Sequence, residues 1–99
     1  MNFDPSTYSL LTDIASRALD VEQFERQRKA DRTVLVFAYN KWKNKNQIEH
    51  VERDSLEWVQ MMVATKREYE RLEAAKRAEH NAKRRLQTAI KRYRQASLS

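Results

Sequence analysis

The sequence predicts an all-α fold: a helical hairpin or three-helix arrangement with a long, partly projecting C-terminal helix that can dimerise as a coiled coil. Three observations predict it. The 99-residue chain has no glycine and one proline, so the strongest helix breakers are almost missing. Apolar residues recur at steps of three, four and seven over most of its length. Glutamate precedes a basic residue by four positions at Glu22–Arg26, Glu25–Lys29, Glu49–Arg53, Glu73–Arg77 and Glu79–Lys83, and each such pair supports a helix by about 0.2–0.5 kcal/mol.

The length suits one domain, residues 1–99, divided into helices over 5–19, 20–43 and 47–95. The first starts at Asp4-Pro5, where a carboxylate caps and proline loses nothing at the first helical position; Leu11, Ile14, Ala15, Ala18 and Leu19 give it one apolar stripe. Asp20 and Gln23 match a capping box, which starts the second helix with a bend rather than a loop. The segment Thr33–Tyr39 has the β-branched and aromatic content of a strand. No second β-rich run exists to pair with it, and Leu35, Ala38, Tyr39 and Trp42 keep helical spacing, so it reads as helix.

The asparagine-rich stretch Asn40–Asn46 is the expected turn. Asn46 and Glu49 form a further capping box, and Asp54 with Glu57 forms another that can restart the helix. Beyond it, the seam runs through Ile48, Val51, Trp58, Met62, Tyr69 and Leu72. After a phase slip near Leu72 it continues through Ala75, Ala78, Ala82, Leu86, Ala89 and Tyr93, as a coiled-coil stutter does. The core is expected at Leu11, Ile14, Phe24, Leu35, Ala38, Trp42, Val51, Trp58, Val59, Met62 and Tyr69. A helix over 47–95 spans roughly 74 Å and one over 20–43 roughly 36 Å. The C-terminal half therefore projects as an arm or is covered by a second chain, which makes a homodimer an option.

Composition excludes several chemistries. Without cysteine there is no disulfide, zinc-thiolate site or cysteine nucleophile. Without glycine, phosphate-cradling loops lack their usual residue. His50 and His80 stand thirty positions apart with no carboxylate or thiol at ligand spacing, and a shared helix separates them by roughly 45 Å. No metal, cofactor or small-molecule substrate is expected, and no enzymatic site. The longest uncharged stretches, Pro5–Thr12, Thr33–Asn40 and Trp58–Thr65, are eight residues each; a membrane span needs roughly 20 apolar residues. With no secretory signal pattern either, a cytoplasmic protein is expected, of a size and style that suit a phage or plasmid gene.

Charge is concentrated at one end. Residues 1–65 hold nine Lys/Arg and ten Asp/Glu, whereas residues 76–99 hold eight Lys/Arg and one acid, Glu79. The candidate binding residues are those eight: Lys76, Arg77, Lys83, Arg84, Arg85, Lys91, Arg92 and Arg94. Such a helix neutralises phosphates and releases counterions, so nucleic acid or a nucleic-acid-handling complex is the expected partner. Asn81-Ala-Lys-Arg-Arg85 does not follow the asparagine–alanine–arginine spacing of leucine-zipper basic regions, and no leucine heptad follows it. The alternative is an adaptor, inhibitor or assembly subunit that docks the basic helix on an acidic protein surface. Trp58, Met61, Met62, Ala78, Ala82 and Leu86 are the candidate protein interface, methionine being adaptable and alanine permitting close approach.

Trp42-Lys43-Asn44 at mid-chain and Tyr69-x-x-x-Glu73 resemble the outline of the Trp-x-Gly secretion family of small helical hairpins. Asn44 stands where that family has its glycine, and the tyrosine motif comes too early. The resemblance implies a shared hairpin outline, and no family is assigned from it.

Overall fold

The computed structural model describes residues 5–98. The fold is all-α, with α1 over Pro5–Lys45, α2 over Leu56–Ala64 and α3 over Lys66–Leu98, and no strand among the described residues. The expected cap at Asp4 lies outside the described residues. Thr33–Tyr39 is helix, inside α1.

Two expected boundaries are corrected. Asp20 starts no helix, because α1 runs through it without interruption for 41 residues. Asn46 likewise starts none: it ends α1, its backbone N–H and side-chain Nδ2 both donating to the Trp42 carbonyl, at 3.1 and 2.8 Å. The Gln47 N–H then bonds the Asn44 carbonyl (3.2 Å) and the Ile48 N–H the Lys43 carbonyl (2.9 Å). This is the paired closure of a Schellman motif, which satisfies carbonyls that the helix end leaves bare. It needs a left-handed residue, and in this glycine-free chain Gln47 takes that place with φ 57°. Gln47→Gly is therefore expected to stabilise the protein by about 1 kcal/mol, read as a higher denaturation midpoint.

The next helix begins nine residues later than the expected position 47. Residues 46–55 form an irregular connection, and Ser55, not Asp54, caps α2: its Oγ accepts from the Trp58 N–H at 3.2 Å. Asp54 precedes the cap in a left-handed conformation, φ 66°, which short polar side chains tolerate. α2 and α3 meet at Thr65. Backbone bonds cross this point, Thr65 N–H to Met61 O and Tyr69 N–H to Thr65 O, each 3.0 Å. The Thr65 hydroxyl also donates to the Met61 carbonyl at 2.7 Å, a back-bond that bends helices.

The chain divides into two compact units. The described part of one comprises residues 5–26 and 77–98; the other is Gln27–Lys76. In the second, the chain reverses over residues 46–55 and α2 returns beside α1, where Tyr39 Oη donates to Met62 Sδ at 3.5 Å. Leu35, Met61, Thr65, Leu72 and Ala75 are buried there. In the first, α3 is covered by the N-terminal half of α1, and Ala82 and Ala89 are 1% and 2% exposed.

The buried seam differs in phase from the expected one. Along α2 and α3 the buried positions are Met61, Thr65, Leu72, Ala75, Glu79, Ala82 and Ala89. With the half-buried Glu68, Leu86 and Tyr93 they form a line that steps four and three without a slip, and Trp58, Met62, Glu73, Ala78 and Ile90 are half-buried beside it. Val59 and Tyr69, expected in the core, are 47% and 40% exposed. On α1 the matching line runs Thr7, Leu10, Ile14, Arg17, Val21, Phe24, Arg28, Asp31, Leu35, Ala38 and Trp42. Both lines are unbroken heptads carrying polar residues. Bulky residues such as Ile14, Val21 and Phe24 on α1 complement the alanines of α3, the alternation that lets two backbones approach closely.

Candidate functional site

The buried seam decides which residues of α3 face outward. With Glu79, Ala82, Leu86 and Ala89 turned inward, the five remaining heptad lines form the outer surface. In order around the helix they are Lys76–Lys83–Ile90, His80–Gln87–Arg94, Arg77–Arg84–Lys91, Asn81–Thr88–Gln95 and Ala78–Arg85–Arg92. All of these side chains are exposed except Ile90 and Ala78, which are half-buried on the two lines next to the seam. Seven of the eight predicted cations, Arg77 to Arg94, thus share the outer surface of α3 in the first unit, and Lys76 is exposed at the end of the second.

Ion pairing separates them into two groups. Lys76 pairs with Glu73 at 3.1 Å and Lys83 with Glu79 at 3.3 Å. Arg77, Arg84, Arg85, Lys91, Arg92 and Arg94 bond no described carboxylate. Glu79, the one acid after residue 75, is 7% exposed and its carboxylate belongs to the seam. No exposed carboxylate of α3 beyond that point offsets the positive field, which stays available to a ligand.

The first unit adds a feature that the sequence alone did not indicate. Asp13 and Arg17 of α1, with Asn81, Arg84, Arg85, Thr88 and Arg92 of α3, line a crevice of about 450 Å³. Arg17 and Asp13 pair at 3.4 Å, which leaves three α3 arginines facing the opening without a carboxylate partner of their own. Four guanidinium groups around one opening suit anions, since each offers a planar fork of donors. The heptad phase of α1 is the signal that finds Arg17, because Arg17 sits on the same line as Leu10 and Phe24.

The candidate protein interface is divided. Met61 and Ala82 are 7% and 1% exposed, so they serve the internal seam and present nothing to a partner. Trp58, Met62, Ala78 and Leu86 are half-buried. The cover for Ala82 and Ala89 comes from α1 of the same chain, which removes the helix-length argument for a second copy. In the second unit, burial and the neighbouring Tyr69 raise the ionisation of the half-buried Tyr39 above the ordinary tyrosine range. Among the described residues, no group of three or more His, Asp or Glu side chains is placed to hold a metal ion. No helix among them is long and apolar enough to cross a membrane. Compared with known proteins, the chain matches no family model, no curated sequence and no solved structure.

Proposed function

We propose that this is a non-enzymatic nucleic-acid-binding protein that engages its ligand through the outer surface of α3 between residues 77 and 94. The observation that carries the reading is the set of six exposed cations on one helix surface that pair with no described carboxylate. Arg17 joins them at the crevice. A structural helix surface is ordinarily laced with opposite charges at i, i+4, as Glu22–Arg26 on α1 is at 2.6 Å. That lacing stops after Glu79, and the remainder of α3 carries an array of cations that no described carboxylate neutralises. Phosphate backbones complement such an array with the largest density of charge.

The test is a fluorescence titration with a labelled duplex at two salt concentrations. Affinity is expected to fall steeply with salt, and Arg84→Ala and Arg92→Ala are each expected to flatten that dependence by about one unit. Substitution is the control rather than truncation, because removing the C-terminal part of α3 also removes Ala82 and Ala89, against which α1 packs. Saturable binding with no salt dependence, or none at low salt, overturns the reading and directs attention to an acidic protein surface.

A further inference from the structure

We infer that the ligand is a duplex read in its major groove, with Asn81, Thr88 and Gln95 contacting base edges while the arginines beside them hold the two phosphate backbones. The inference rests on the proposed nucleic-acid function and goes beyond it to the class of nucleic acid and the residues that confer preference.

The arrangement of the outer surface motivates it. Asn81, Thr88 and Gln95 lie seven positions apart on one line of α3, all exposed. Arg84 and Lys91 occupy the line on one side, Arg85 and Arg92 the line on the other. A neutral hydrogen-bonding row between two cationic rows matches the cross-section of a major groove, where base edges lie between backbones. The groove is about 12 Å wide and admits one helix. Along the axis the three neutral residues are about 10.5 Å apart, close to three base-pair steps.

The chemistry of the row fits the same target. Asparagine and glutamine form paired bonds with the adenine N6 and N7 edge, and threonine offers a hydroxyl and a methyl. The Asn81 and Gln95 amides bond no described residue. Thr88 donates to its own helix at the Arg84 carbonyl, 3.1 Å, and keeps its oxygen lone pairs for a donor. Asn81 and Thr88 also line the crevice with Arg84, Arg85 and Arg92, so base-reading and phosphate-holding groups share one opening. Single strands are bound instead on exposed aromatic platforms. The one Phe, Tyr or Trp among residues 77–98 is Tyr93, and it is half-buried in the seam.

The experiment is selection of a randomised duplex pool by the full-length protein, followed by titration of the selected and a scrambled duplex. The wild-type protein is expected to enrich a motif and to prefer it over the scrambled sequence. Asn81→Ala and Thr88→Ala lie on an exposed helical surface where alanine is a good helix former, so the fold is retained. Each is expected to lose roughly tenfold or more of that preference with the salt dependence unchanged. If salt-sensitive binding persists but no motif is enriched, or if single strands bind more tightly than duplex, the groove inference fails and the polyanion reading stands. If no duplex binds at low salt, both fail.

Discussion

Replacing Ala82 with glutamate is expected to lower the melting temperature by on the order of 15 °C or more. Ala82 is 1% exposed, on the seam by which α3 packs in the first unit. A glutamate there is enclosed without a partner, which costs about 3–5 kcal/mol, and small domains have only about 5–15 kcal/mol in total. The new carboxylate also lies one turn from Glu79, itself 7% exposed, and like charges at that spacing repel. Enclosure and repulsion both favour the neutral acid, so the folded-state pKa of the introduced group is raised above its unfolded value. Its protonated form is tolerated below the unfolded value, and stability falls as pH rises through the folded value. The deficit relative to wild type is therefore expected to be smaller near pH 4 than at pH 7. Gln87→Glu makes the same charge change on the exposed surface and is expected to leave the melting temperature within a few degrees. Equal melting of Ala82→Glu and wild type would mean that α1 does not enclose this position.

Ala82 also marks the border between legible and illegible sequence. Thr33–Tyr39 is legible as helix because a strand needs a partner and the chain offers none. The all-α class is legible because a chain without glycine has few places to stop a helix. The seam is not, because apolar residues alone do not trace it: it passes through Thr65, Glu68 and Glu79. Following hydrophobicity past those polar positions produces an apparent slip near Leu72 that the packing does not contain. Capping signals mislead in a different way. Asn46–Glu49 has the composition of a helix start, yet Asn46 faces the end of the preceding helix, and side chains of this type serve either role according to which backbone groups are bare. The basic end is evident from charge counts alone. The contribution of Asp13 and Arg17 is not, since it depends on how the heptad of α1 meets that of α3 more than sixty residues later.

A variant carrying Arg84→Gln, Arg85→Gln, Lys91→Gln and Arg92→Gln is expected to lose duplex affinity by roughly three to four orders of magnitude at ~0.1 M salt, with the salt dependence flattened by about four units. The same protein is expected to melt no lower than wild type. All four side chains are exposed, and none pairs with a described carboxylate, so no described ion pair is removed with them. They also crowd within nine residues of one helix, and thinning like charges relieves repulsion that opposes folding. Glutamine keeps both the helix propensity and much of the side-chain length. Loss of binding with retained melting separates the outer surface of α3 from its buried seam: the first serves a ligand, the second serves the fold. The crevice sharpens the expectation, because three of the four substitutions remove guanidinium groups that line it and leave Arg17 as its one arginine. Restoring Arg85 alone is then expected to recover about one unit of salt dependence. A variant that binds duplex as tightly as wild type would place the ligand elsewhere on the molecule and sink the proposed role of this surface.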